Sequence, residues 1–327
     1  MKLNTKCISL NWCKHHGRSE SLARRLNISD YYIHPEVRFL LIRYLLSTFL
    51  TIKLLINLRP SSVIVMQPPA VSLFLVYFLS KFMKFRVIGD LHTGVFLDPK
   101  WRWSKKAVSR ILTHDNCAIV TNKYLYEELS SAGLQNIVIL DDLIEIYPVA
   151  SSISESLADK FLIQHNSYVL APLSYAFDEP LEELLIAMRN SPSLTWLLTG
   201  DAPRSFIELA PINVVFTGYV SNSEYRSLLL SAQAVIALTT QESTMQRAGY
   251  EALNSGKPLL ISNKIVLREF FGDAAMYMDN TNTSIHHQIL ELTGNTETYK
   301  LRMSGKRTQK IQSQEANLKT LMTYLEI

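Results

Sequence analysis

The chain has 327 residues, 47% apolar and 19% charged, enough to bury a sizeable core and too apolar to stay disordered. Its length suggests two domains, and its eleven Gly and twelve Pro, without a G-X-Y period or an internal repeat, exclude collagen-like and solenoid folds. Three cysteines, Cys7, Cys13 and Cys117, form no CxxC pair, so neither a disulfide framework nor a Cys-based zinc site is expected, and a reducing cytoplasm fits best. The net charge of +4 hides an asymmetry: residues 1–150 hold 19 Lys/Arg against 11 Asp/Glu, and residues 151–327 hold 14 against 18. A basic N-terminal half can meet phosphates, nucleic acid or an anionic membrane face.

The first twenty residues lack an apolar stretch of signal-peptide length, so export is not expected, and they read as the first strand of a fold. Candidate strands follow at 7–11, 30–34, 63–67, 86–91, 118–122 and 136–140. Helical patterns at 19–26, 36–58, 70–82, 103–112 and 123–133 alternate with them, which predicts a parallel, doubly wound sheet. Two apolar regions raise the question of a membrane. Segment 39–58 is interrupted by Arg43 and Lys53, and reads either as a helix packed on a sheet or as a basic, apolar helix lying on a membrane surface. Segment 60–80 has no charge over its length, but Pro68 and Pro69 split it, so it reads as a buried strand and a helix, with a membrane span as the alternative.

The pattern breaks near Pro148 and a Ser-rich stretch, which places the domain boundary at about residue 150. Alternation then resumes, with strands at 167–173, 194–200, 212–218, 234–240, 258–262 and 275–279. Helices are expected at 179–190, 221–232, 244–256 and 282–294, and over the last thirty residues. Two such domains, 1–150 and 151–327, are expected to face each other across a ligand crevice at the carboxyl ends of their sheets.

The most informative stretch is 214–262. A helix expected from Thr244 to Ser255 ends at Gly256 and Pro258, with Ser243 or Thr244 as its N-cap. Free amides and the dipole at such a start attract phosphate, which marks Ser243, Thr244, Met245 and Gln246. Glu242 precedes the helix and Glu251 lies about two turns along it, a spacing suited to a sugar nucleotide. The plainer alternative makes Glu242 a dipole-favoured carboxylate and Glu251 a solvated one.

These residues resemble the C-terminal signature of retaining GT-B glycosyltransferases of family 4, in which two glutamates eight positions apart precede Ala, Gly and Pro. The run EALNSGKPLLIS matches its second half, whereas Glu242 and Glu251 are nine positions apart and position 243 is Ser. The segment with Thr217 and Gly218 is similar to the family's approach to the donor site. Relatives often carry a basic pair after the seventh strand, but here no basic residue occurs between Lys160 and Arg189. Arg247, Lys264 and Arg268 are the nearest candidates for the diphosphate.

In the N-terminal half, Asp90 and His92 end a strand, where such sheets form their crevice. The resemblance makes His92 a candidate for orienting donor sugar or acceptor; the alternative is a structural Asp90–His92 pair. Trp101 and Trp103 can stack on a sugar or lipid, or pack in the core. Gly17 sits where relatives place a glycine-rich loop, and Arg18 beside it is a candidate phosphate ligand. His15 and His16 lack further ligands nearby, so no metal site is expected.

No P-loop, HExxH, GxSxG or aromatic-basic RNA-binding module is present, which leaves nucleoside-triphosphate hydrolysis, zinc proteolysis, serine hydrolysis and nucleic-acid binding without support. The resemblance implies metal-independent transfer of a sugar from a nucleotide-diphosphate sugar to a hydroxyl acceptor, with retention. It also implies no protein nucleophile. The basic half and segment 39–58 suggest work as a peripheral protein at the cytoplasmic membrane face, on a lipid-linked acceptor in surface polysaccharide or glycolipid assembly. The alternatives are a non-catalytic GT-B subunit that binds sugar nucleotide or partner proteins, and a sugar-nucleotide 2-epimerase.

Overall fold

The structure is a computed structural model and describes residues 4–145, 154–242 and 244–326. The chain divides into two compact domains, one running through Leu143 and resuming at Gln312, the other spanning Ile144–Ile311.

The first domain opens with β1 (Asn4–Asn11), α1 (Gly17–Leu26), β2 (Ile28–Tyr32), α2 (Leu40–Leu58) and β3 (Ser62–Gln67). It continues with α3 (Ala70–Met83), β4 (Arg86–Leu91), the single turn α4 (Gly94–Leu97), a 3-10 turn (Arg102–Ser104) and α5 (Lys105–Ile111). β5 (Cys117–Val120), α6 (Lys123–Ser131) and β6 (Ile137–Ile139) complete it. The six strands pair in parallel in the order β2-β1-β3-β4-β5-β6. α2, α3, α5 and α6 bury Leu55, Leu73, Val108 and Leu125 against one face. α1 covers the other face with Leu22 and Leu26, joined there by Leu318, Leu321 and Leu325 from the end of the chain.

The second domain begins with α7 (Glu155–Phe161), β7 (Tyr168–Pro172), α8 (Leu181–Asn190), β8 (Thr195–Thr199) and α9 (Arg204–Leu209). Then come β9 (Val214–Gly218), α10 (Asn222–Ser231), β10 (Ala234–Ala237) and α11 (Arg247–Ser255). β11 (Leu259–Ser262), α12 (Ile265–Phe271), β12 (Met276–Met278) and α13 (Asn282–Gly294) follow, and α14 (Thr296–Leu325) begins in this domain and belongs to the first from Gln312 on. Its sheet is also wholly parallel, in the order β12-β11-β10-β7-β8-β9. Trp196 on β8 is fully buried, and its ring nitrogen donates to Ser191 Oγ at 3.1 Å, so a large apolar body fills the core without stranding its polar atom.

All twelve expected strands form. The short helices α7, α9 and α12 were not foreseen, because six or seven residues carry too little periodicity to separate from a loop. Segment 60–80 resolves as expected, into the fully buried β3 and then α3.

One core cation shows how tightly the second domain is closed. Lys257, between α11 and β11, is 8% exposed, and its Nζ donates to the Ala232 carbonyl at 2.8 Å. Burial, with a smaller contribution from Lys300, lowers its pKa to about 8. The unfolded chain, with an ordinary lysine, then binds more protons than the folded one between about pH 8 and 10.5, so this group raises stability as pH rises through that window. Chemical denaturation of the wild type and Lys257→Met across pH 7 to 10.5 is expected to show the wild type gaining on the variant, by about 3 kcal/mol at most.

Candidate functional site

In a parallel sheet the loops that leave the strands gather at the carboxyl edge, where doubly wound domains bind ligands. In the first domain this edge carries a chain of charges. Arg18, on the first turn of α1, is 9% exposed. It donates from Nη2 to Asp90 Oδ1 (3.2 Å) and the Leu140 carbonyl (2.6 Å), and from Nη1 to Asp142 Oδ1 (3.1 Å). Asp90, at the end of β4, is 1% exposed, and its Oδ2 lies 3.3 Å from His92 Nε2. Burial alone would raise the Asp90 carboxyl, but Arg18 and then His92 outweigh it and hold the group well below the usual carboxylate range.

The His16 ring meets that of His92 edge-on, with centroids 4.8 Å apart. His16 caps α1 by accepting the Ser19 amide at Nδ1. Its pKa is lowered, first by burial and then by His92 and Arg18 against the opposing pull of Asp90 and Asp142. A neutral ring keeps the cap and stacks beside His92. Arg18 is therefore committed to internal carboxylates instead of standing open to a phosphate. The carboxylates that hold it lie 72 and 124 positions away in sequence, so nothing local announced them.

The second domain holds a cavity of about 400 Å3 at its own carboxyl edge, walled by the loops after β7, β8 and β9 and by α10 and α11. Glu179 shapes the first wall by accepting from the Ser174 amide and hydroxyl and from the Ala176 amide. The floor needs two glycines. Gly200 has φ 96°, and a Cβ there would lie 2.1 Å from the Leu173 carbonyl oxygen. Gly218 has φ 63° with open space around it, so backbone conformation rather than crowding calls for glycine.

Glu251, like Glu179, is a buried acid of this cavity, 7% exposed instead of solvated. Arg247 Nε donates to its Oε1 at 2.8 Å, and the Tyr225 hydroxyl donates to its Oε2. Tyr225, from α10, was not foreseen, since only the folded packing of α10 on α11 brings it to Glu251. Arg247 is the one basic residue among those lining the cavity, and its side chain is 81% exposed.

α11 starts later than expected: its N-cap is Gln246, without a side-chain cap, and its first residue is Arg247 rather than Thr244. The first amides of the helix are thus those of Arg247 and Ala248, and both residues line the cavity together with Gln246. Thr244 and Met245 belong to the preceding loop, and Met245 packs on the core below α11. Ser243 lies outside the described residues. Glu242 does not line the cavity; it is 67% exposed and pairs with Lys264 at 2.7 Å. Arg268 is likewise engaged, with Asn263 and the face of Tyr277. Trp101 is buried, and Trp103 is exposed.

No protein-family model and no curated protein sequence matches the chain. Solved structures do. A glycosyltransferase from Rickettsia africae ESF-5 is 14% identical, with a TM-score of 0.73 over 99% of this chain and 98% of that one. A sucrose-phosphate synthase from Thermosynechococcus elongatus is 13% identical, with a TM-score of 0.72 over 98% of each chain. Anabaena HepE in complex with UDP-glucose is 13% identical, with a TM-score of 0.71 over 97% of this chain and 99% of that one. The fold is that of the GT-B glycosyltransferases, two doubly wound Rossmann-like domains.

Two stability measurements follow. Asp90→Asn leaves a buried guanidinium short of a partner and is expected to cost about 3 kcal/mol by urea denaturation, whereas Asp142→Asn, at a 40% exposed side chain, is expected to cost less than about 1 kcal/mol. Gly200→Ala, forced against the Leu173 carbonyl, is expected to cost at least about 2 kcal/mol, and Gly218→Ala, with only its conformation to strain, about 1 kcal/mol. Equal losses within either pair would contradict the geometry described.

Proposed function

We propose that the protein is a metal-independent glycosyltransferase that moves a sugar from a nucleotide-diphosphate sugar to a hydroxyl of a sugar or lipid-linked sugar acceptor, with retention. It would work in the cytoplasm, in surface polysaccharide or glycolipid assembly. The observation that carries this reading is Glu251, a buried carboxylate held at both oxygens inside a cavity that a helix N-terminus also enters. HepE, which shares the fold, has been solved with UDP and with UDP-glucose.

In this reading the ribose hydroxyls donate to the remaining lone pairs of Glu251. The diphosphate lies at the start of α11, where the amides beside Gln246 and Arg247 and the Arg247 guanidinium stabilise the negative charge that grows on the leaving group. Thr244 and Met245 shape the loop before that start. Gly218 lets the chain turn beneath the nucleoside without a side chain in its way. Glu242, exposed on the loop after β10, is assigned to hydroxyls of the donor sugar. His92, kept in one orientation by Asp90 and through it by Arg18, is assigned to the acceptor side.

Thermal unfolding with UDP, GDP, ADP and their sugars, without added metal, tests the reading. One base is expected to raise the melting temperature. Glu251→Ala is expected to weaken that diphosphate by about 10- to 100-fold, the loss of hydrogen bonds to a charged group. If Tyr225 serves by fixing the carboxylate, Tyr225→Phe should weaken the ribonucleotide several-fold and reduce its advantage over the 2′-deoxy nucleotide, a ratio that a general loosening of the fold would leave alone. A chain stabilised by none of the diphosphates would overturn the proposal.

A further inference from the structure

We propose that the outer face of α2 and α3, together with Trp103, docks on an anionic lipid bilayer and lies at the boundary between its headgroups and acyl chains. The inference concerns the first domain alone and goes beyond the transferase reading, since it needs neither donor nor acceptor.

α2 is turned the wrong way for water. It buries Ser47, Thr51 and Leu55, one stripe at four-residue spacing, while Leu41, Leu45 and Phe49 are 73%, 62% and 63% exposed. The Trp12 ring nitrogen donates to Thr51 Oγ1 at 3.0 Å and fixes that orientation. On α3, Phe78 and Phe82 stand out from the surface with their rings 5.0 Å apart, and Trp103 is 64% exposed. Among the described residues, twelve of the 23 exposed large apolar side chains fall between Phe39 and Trp103, concentrated on these elements.

Charge selects the occupant. Residues 37–112 hold twelve Lys/Arg against two Asp/Glu, and one of the two, Asp90, is buried. Arg38, Lys53, Arg59, Lys81 and Lys84 on and around the two helices are exposed. Apolar side chains that include Trp and Phe, rimmed by cations, match a surface that offers acyl chains and negative headgroups together. A cavity of about 520 Å3 opens beside α2, lined among others by Tyr31, Tyr32, His34, Lys53 and Asn57. Its exposed Lys53 ammonium suits the phosphate of a headgroup.

α2 is long and apolar enough to cross a bilayer. Crossing would pull Thr51 from Trp12 and Leu55 from the sheet core and would place Arg43 and Lys53 within the membrane. Lying on the surface keeps all four where they are.

Flotation of the full chain with vesicles of phosphatidylcholine, with and without 30% phosphatidylglycerol, tests the inference. Binding is expected to be at least tenfold stronger with phosphatidylglycerol at low salt, and to be released by carbonate at pH 11. Leu41→Glu with Phe49→Glu, at exposed positions that leave the core intact, is expected to abolish it, with circular dichroism unchanged. Lys53→Glu is expected to reduce the preference for phosphatidylglycerol several-fold. Absence of binding by the wild type, or binding untouched by the double variant, would overturn the proposal. So would retention through the carbonate wash, which marks a span, or a dimer that the double variant dissociates, which marks a second copy as the occupant.

Discussion

Parallel pairing is the constraint on which the rest of this molecule depends. A parallel pair cannot be closed by a two-residue turn, so each strand must return through a crossover, and the crossovers here are helices. The loops that leave the strands then collect at one edge of each sheet. Asp90, Arg18 and Asp142 meet at that edge in the first domain because β4, β1 and β6 all end there. Gly200, Gly218 and the β7 loop meet at the corresponding edge of the second domain for the same reason.

Both edges use one device, a buried carboxylate whose oxygens are held by other side chains. Asp90 is held by a guanidinium and faces an imidazole; Glu251 is held by a guanidinium and a phenol. An unpaired buried carboxylate would be expensive and would take up a proton instead, so such groups persist only when their partners are fixed by the fold. The two sites differ in access. Arg18 is sealed among its carboxylates, whereas Arg247 is largely exposed beside a cavity and can share its charge with a ligand. The same residue type is sealed at one edge and exposed at the other.

That contrast sets the limit of what the sequence discloses. The strands were legible because a buried parallel strand is a short unbroken apolar run, and β3, β5 and β10 are buried throughout. The end of α11 was legible in Gly256, but its start was not. Ser243 and Thr244 have the chemistry of caps, yet the chain reaches helical geometry only after Gln246, which offers no side-chain cap. Asp90 and His92 could be placed at a strand end from local pattern alone. The binding of Arg18 to Asp90, and of Tyr225 to Glu251, depends on packing between elements far apart in the chain, and no spacing rule reports it.

The ambiguity of segment 39–58 has the same physical origin. Its average apolarity permits a core helix, a surface helix or a span, and only the choice of buried stripe separates them. A helix that packs against a sheet in water normally presents its leucines to the sheet. α2 presents Ser47 and Thr51, residues small enough to bring the helix close, and satisfies the threonine with a tryptophan nitrogen. That stripe, completed by Leu55, leaves Leu41, Leu45 and Phe49 facing outward, so the exposed face is a consequence of which stripe is docked and not of a loose fit. A sequence that keeps this arrangement keeps an apolar surface in water, where its exposure is unfavourable. Cover from outside the domain would remove that cost.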